Sequence, residues 1–448
     1  MLLQFSVTNY ASIKNEVLFS LVPSKDNEHP ENILKNGKFS AVSLAAIYGA
    51  NASGKSNLFK AMTNAIVYIR QSNMYQHGQK IPVIPYKFCE NCASIPTKFE
   101  FTFVAEDGLK YIYGFSATAD KVVEEYLYVF RSSRPSMLFD RTEEKYSFPR
   151  NEKANLLPLT KMNTPNKLFL ATATSWNAQC TTIPFQWFAT KIDTQTSVDN
   201  QEGPALEAYK NEKEKNIAFV RKLLKMADIN IVDVDVEIEE MSDNQSPISG
   251  LNFGGLLINN QIIKPKNNRI EVRTGHIVTD ETGIQKRYEL SLLEESLGTI
   301  QLFLFAPFLR KALETGKVLF IDEIDRSLHP FLIRLLVNLF RDNRINANGA
   351  QLIFNTHETA LLSLGTFRRD QIYFTEKNTE NGVTDLYSLD DLSVRKDENI
   401  EKGYLLGRYG AIPYLQTEDI VGVIRTHGKI ATVFPDTDQS SVLKGRKK

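Results

Sequence analysis

The chain opens on alternation: Leu3, Phe5 and Val7 interleave with Gln4, Ser6 and Thr8, and Val17, Phe19 and Leu21 resume the pattern after a polar break from Asn9 to Asn15. A period of two puts every second side chain on one face, so two strands that pair with each other are expected. Three further alternating segments (Phe99, Phe101, Phe103; Tyr111, Tyr113, Phe115; Val123, Tyr126, Tyr128), with Asp107-Gly108 as the turn between the first two, predict an antiparallel meander over Lys98–Tyr128. Ser43–Tyr48 is instead a short unbroken apolar run. It ends in a glycine-rich turn, and Leu58, Phe59, Met62, Ile66 and Ile69 then follow at helical spacing within Ser56–Gln71, giving strand, loop and helix.

From Asn166 to Ala227 the alternation is lost, and Ala205–Met226 carries its apolar residues on one helical stripe, which reads as a helical insertion. Ile229–Ile238 alternates again, and Leu256–Ile263 and Arg269–Glu289 read as strands with turns at Asn259-Asn260 and Thr282-Gly283. Beyond them, Ile300–Glu314 is helical, Val318–Ile321 is a buried type of strand, Phe331–Phe340 is helical and Gln351–Asn355 is a strand. Elements that alternate in this way imply a parallel sheet, and with no heptads there is no long coiled-coil arm.

Composition narrows the class. A chain of 448 residues, 42% hydrophobic and 24% charged, exceeds a single small module and has ample material for a core. Lys+Arg and Asp+Glu both number 53, so no global charge excess holds it to DNA or to an anionic membrane; DNA contact through a local patch stays open. Three cysteines make no closed disulfide framework, and Cys89-x-x-Cys92 lacks the second pair of a zinc tetrahedron. Neither a signal peptide nor a run of about 20 apolar residues is present, so a reduced, cytoplasmic protein without a membrane span is expected.

Candidate chemistry begins at Gly49-Ala50-Asn51-Ala52-Ser53-Gly54-Lys55-Ser56, which fits G-x-x-x-x-G-K-[ST] between an apolar strand and an amphipathic helix. Small residues let successive backbone N–H groups close around a phosphate, and the helix N-terminus adds partial positive charge. Lys55 then reaches the β- and γ-phosphates of ATP, the Ser56 hydroxyl ligates Mg²⁺, and Asn57 lies next along the helix. Lys317–Glu323 is an apolar strand ending in two acids. Asp322 is placed to hold the Mg²⁺ shell, and Glu323, just beyond the metal, suits a base or water-orienting group.

On these motifs the chain resembles the ABC-type ATPases in the broad sense, the group that holds SMC, RecF and the OLD-like nuclease ATPases. The resemblance implies an α/β P-loop ATPase head, a mixed sheet with an antiparallel β meander, interrupted by a helical and β insertion. Leu293–Thr299 looks like the signature segment, with Ser296 and Gly298 contacting ATP bound to a second subunit; Leu297 and Thr299 depart from the usual Ser-Gly-Gly-Gln. Ile324–Pro330 looks like the D-loop, with Asp325 as its interface residue, and His357 after Phe354-Asn355-Thr356 matches the switch histidine that senses the γ-phosphate. No glutamine stands out as a Q-loop. The head spans 1–160 and 285–395, the insertion 161–284 and a tail segment 396–448.

A narrower resemblance, to the stand-alone RloA-type ATPases of bacterial anti-phage systems, rests on Glu294–Thr299, Asp322–Asp325 with Leu328-His329-Pro330, and Gly403–Pro413. It implies an ATP-sandwiched homodimer or higher homo-oligomer that controls a partner effector, such as a Toprim-type nuclease. The alternative is a RecF-like repair ATPase acting directly on DNA. Gly403–Pro413 is either a loop packed on the head or a partner contact. Asp233 and Asp235 could form a nuclease metal pair, but acids two apart on a strand share the solvent face. The basic end, Lys444–Lys448, reads as a solvated terminus.

Overall fold

In this computed structural model the apolar runs become a six-stranded sheet in the order Ile192–Gln195, Val318–Ile321, Gln351–Asn355, Leu44–Gly49, Ile372–Lys377, Thr384–Ser388. The first five strands are parallel and the last is antiparallel. The described residues are 1–195, 202–227, 230–240, 257–258, 261–262, 268–279, 281–392, 394–395 and 398–413. They lie in a unit of Met1–Ile412, apart from Pro413, which opens a second unit of Pro413–Lys448. The expected basic end, Lys444–Lys448, falls outside the described residues, as does the turn at Asn259-Asn260.

Both faces of this sheet are covered, which is why its strands are unbroken apolar runs. Ala45, Ile47, Val318, Phe320 and Ile353 face one core, shared with helix Lys55–Gln71 and the meander. Leu44, Ala46, Tyr48, Leu319, Ile321, Leu352 and Phe354 face the other, shared with helices Lys213–Met226, Leu297–Thr315 and Pro330–Arg341. Register aligns the strand ends: Ile321 pairs with Phe354, so Asp322 is level with Asn355, while Thr375 pairs with Gly49. The chemistry-bearing residues therefore collect at the carboxyl edge of the sheet.

The expected meander is present and the two opening strands pair as predicted, but they form one sheet. Seven antiparallel strands run in the order Lys145–Ser147, Ser136–Thr142, Val122–Phe130, Lys110–Ala117, Thr97–Val104, Leu2–Thr8, Val17–Ser20. Phe5 is the joint, opposite Phe101 on one side and Phe19 on the other, with its ring 4.8 Å from that of Phe101.

Between the meander and the later strands lie helices Phe169–Ser175 and Gln179–Thr190, and the stripe over Ala205–Met226 is two helices, Glu202–Asn211 and Lys213–Met226. They break at Glu212, whose carboxylate pairs with Arg310; the same guanidinium donates to Asn216 Oδ1 at 2.6 Å. Strand Ile192–Gln195, which pattern alone did not reveal, joins the parallel sheet beside Val318–Ile321. Asp233–Glu240, Asn268–Thr279 and Gln285–Ser291 form a three-stranded antiparallel sheet, and Asp233 pairs there with Arg221 and Arg287. The cysteine expectation needs correction: Cys89 and Cys92 are joined in a disulfide, because the turn between them brings their Cα atoms to 5.5 Å. Cys180 is free, and burial pushes its thiol up to about 11.

A buried ion pair ties these parts together. The Glu125 carboxylate, fully buried, accepts from the N-terminal amides of helix Phe169–Ser175 (Phe169 N at 2.6 Å, Leu170 N at 2.9 Å), from Tyr113 Oη at 3.0 Å and from Arg141 at 3.4 Å. Burial raises the Glu125 pKa against the pull of Arg141. Arg141→Met is therefore expected to destabilise the fold by about 3–5 kcal/mol at neutral pH, by stranding a buried carboxylate. The mutant's deficit should shrink as pH falls through the raised Glu125 pKa, since the protonated acid carries no charge to strand. Urea melts at neutral and acidic pH measure both; an unchanged midpoint would show that the pair contributes nothing.

Candidate functional site

Gly49–Ser56 bends from its strand into helix Lys55–Gln71, and two glycines make the bend possible. Gly54 sits at φ +113°, and a Cβ there would collide with the Thr384 side chain; a Cβ on Gly49 would lie 2.6 Å from Ser53 Oγ and against Thr375. The two threonines brace the loop from behind. Ser53 Oγ shares a 2.6 Å bond with Thr375 Oγ1, and Thr384 Oγ1 donates to Ser53 O at 2.8 Å. Asn51 and Ala52 are exposed at the tip, with Ala52 at φ +63°. The Asn57 side chain is used on Ser12 Oγ, at 2.7 Å.

Within the loop the Lys55 ammonium donates to Gly49 O at 2.8 Å and Ala50 O at 3.1 Å. Burial pushes its pKa down to about 8, partly countered by Asp325, Asp322 and Glu323 nearby. A cradle that admits no Cβ, with a cation folded into it, fits a polyphosphate.

Ser56 Oγ donates to Asp322 Oδ1 at 3.1 Å, and the Asn355 amide donates to the same oxygen. Burial raises the Asp322 pKa, and these two bonds oppose the rise. A hydroxyl beside a carboxylate is a hard oxygen pair of the kind Mg²⁺ takes, so the donor set fits that ion. Glu323 follows, exposed, at φ +55°, with its N–H donated to Asn355 Oδ1 at 2.6 Å.

Asp325, expected at an interface, is half-buried and accepts the His357 N–H on Oδ2 at 3.0 Å; its Oδ1 is buried with no hydrogen-bond partner. The His357 side chain is exposed, and burial of its inner part, followed by the charge of Lys55, holds its pKa below the usual value. Lys55, Ser56, Asp322, Glu323, Asp325 and His357 thus meet at one edge of the sheet.

Ser296 and Gly298 do not bond to that edge. Ser296 caps helix Leu297–Thr315, accepting from Thr299 N at 3.1 Å, and a Cβ on Gly298 would lie 2.9 Å from Ser327 O in the turn after Asp325. Leu297 between them is 71% exposed. Residues Gly403–Ile412 pack on the head by way of two tyrosines. Tyr404 and Tyr409 are buried, with rings 5.5 and 5.9 Å from Phe374, and Tyr404 lies 6.1 Å from Tyr48, next to the phosphate loop.

Sequence reasoning assigned no role to Asn355, Thr375, Thr384 or Ser12. The only signal was proximity, since Asn355 stands two residues before His357. The amide at Asp322 comes from Asn355, and no glutamine is bonded to Ser56 or Asp322 among the described residues.

A family model described as "AAA domain, putative AbiEii toxin, Type IV TA system" matches residues 44–179 and 194–363. No curated protein matches the chain by sequence. Among solved structures, an SMC head bound to the C-terminal winged-helix domain of ScpA is similar at 13% identity and TM-score 0.36, over 86% of this chain and 97% of that one. The recombination mediator RecF with ATP is similar at the same identity and score, over 86% of this chain and 99% of that one. At that score neither likeness bears on the site. No helix among the described residues is long and apolar enough to cross a membrane.

Proposed function

Because the chain belongs to the AAA_21 family of ATPase domains, we propose that it is a Mg²⁺-dependent ATPase switch that dimerises around ATP and controls a partner effector. The observation that carries the reading is the meeting of Lys55, Ser56, Asp322, Glu323 and His357 at one sheet edge. Lys55 and the loop amides hold the β- and γ-phosphates. Ser56 and Asp322 would hold Mg²⁺, which would supply positive charge against the phosphate oxygens. Glu323, exposed beyond Asp322, orients the attacking water, and His357 senses the γ-phosphate.

Ser296 and Gly298 come from a second subunit. The support for this is that within one chain neither residue bonds to the edge that carries Lys55 and Asp322, while Ser296 stands at the N-terminus of helix Leu297–Thr315. Nucleotide that touches both subunits only in the closed form shifts the equilibrium by its differential affinity, and hydrolysis releases the pair. The toxin–antitoxin wording of the family agrees with a role in anti-phage defence, and a Toprim-type nuclease is the kind of effector this reading assigns. The test is recovery of the tagged protein from its native host with and without ATP. A stoichiometric nuclease or toxin that comes down in one nucleotide state supports the switch. DNA alone, bound with an affinity that falls steeply with salt, would replace it by direct action on DNA.

A further inference from the structure

We infer that Asn355 is a positioning residue for ATP hydrolysis, one that fixes Asp322 and the backbone of Glu323 together; this rests on the ATPase reading above. Asn355 ends strand Gln351–Asn355 and is fully buried, 0% exposed. Three successive residues of the facing turn bond to it: its amide N–H₂ donates to Asp322 Oδ1, its amide oxygen accepts Glu323 N–H at 2.6 Å, and its backbone carbonyl accepts Ile324 N–H at 3.2 Å. Chemistry fixes the sense of the amide, because a carboxylate only accepts and a backbone N–H only donates. Both ends of the amide are therefore engaged, its nitrogen on Asp322 and its oxygen on Glu323.

Each bond has its own consequence for the reacting groups. With Ser56 and Asn355 both donating to Oδ1, the orientation of the Asp322 carboxylate is set and its charged form is favoured against burial. Glu323 occupies a left-handed backbone, φ +55°, which is strained for a residue with a side chain and persists only when its surroundings hold it. Its N–H is held by Asn355, so the amide helps to keep the Glu323 side chain at the rim of the site. Two residues on, His357 N–H bonds to Asp325 Oδ2, so the strand end that carries the histidine grips the acidic turn at both ends. Thr356 N–H, between them, bonds to Ile47 O and ties the same strand end to the phosphate-loop strand at 3.2 Å.

The test uses the full-length protein and three readings: ATP turnover, affinity for a fluorescent non-hydrolysable ATP analogue in EDTA, and the gain in that affinity on adding Mg²⁺. Asn355→Asp keeps the shape and the acceptor for Glu323 N–H but sets a carboxylate against Asp322; Asn355→Ala removes both side-chain bonds. Partners that orient metal ligands typically contribute about 10- to 100-fold, so kcat and the Mg²⁺-dependent gain should each fall by about that factor while the EDTA affinity stays within about twofold. Asn355→Ser is read against the same thresholds should either variant fail to melt cooperatively. A kcat within about twofold of wild type, or an EDTA affinity that falls in step with kcat, overturns the inference, since the second pattern marks a residue that only holds the fold. A wild-type protein that does not turn ATP over, and a Lys55→Ala variant that binds the analogue as well as wild type, overturn the ATPase reading and the inference with it. Normal turnover in wild type and in Asn355→Asp alike overturns the inference alone.

Discussion

Replacing Glu323 by Gln is expected to slow ATP turnover by about 10²- to 10⁴-fold while leaving nucleotide binding intact, the range for removal of a positioned base or water-orienting group. The substitution is almost isosteric. Glu323 is exposed, and its backbone bonds, N–H to Asn355 Oδ1 and carbonyl from Arg326 N–H, are kept by glutamine. What disappears is a negative charge close to Lys55 and His357, one that opposes the downward pull of burial on both their pKa values. Neither the phosphate loop nor the Ser56–Asp322 pair loses a contact, so ATP should still bind and, unhydrolysed, should trap the closed dimer. Light scattering of the variant with ATP and Mg²⁺ should then report twice the mass seen without nucleotide. Turnover at the wild-type rate would remove Glu323 from its role; a variant that binds ATP yet stays monomeric would sink the ATP-closed dimer and leave the hydrolytic assignment standing.

What the sequence revealed of this site, and what it hid, follows from contiguity. Phosphate recognition needs a run of adjacent N–H groups, so Gly49–Ser56 must be written in one stretch, and the strand that delivers Asp322 must be apolar up to its end. The braces are different. Thr375 and Thr384 reach Ser53 from more than 300 residues away, and Asn355 reaches Asp322 across two strands, so each is an ordinary polar residue until the sheet closes. Strand Ile192–Gln195 stayed hidden because it is four residues long and three of them are polar, and an edge strand needs only its pairing with Val318–Ile321. The union of the opening strands with the meander hinges on Phe5 against Phe101, a pairing that alternation permits but cannot select.

Lys55→Ala should raise the dissociation constant for ATP by about 10²- to 10⁴-fold, because a charge-assisted hydrogen bond contributes about 1.5–3 kcal/mol and the ammonium serves two phosphates. The fold should survive the loss. Lys55 is a buried cation whose pKa is pushed down to about 8, so at neutral pH the folded chain bears a cost for keeping it charged, and alanine removes that cost together with the bonds to Gly49 O and Ala50 O. The sign of the pH dependence separates this from general damage. Between the depressed folded pKa and the ordinary lysine value, the unfolded chain holds the proton that the folded chain has released, so wild-type stability gains a rising contribution from about pH 8 to about pH 10.5, and the alanine variant lacks it. Arginine should not rescue binding, since a planar five-donor fork replaces a compact ammonium seated on two loop carbonyls. Calorimetric titration of ATP into the three proteins, with urea melts at pH 7 and pH 10, gives both readings. Binding of ATP by Lys55→Ala at wild-type affinity would mean that Gly49–Ser56 is a structural turn, and the ATPase assignment would fall with it.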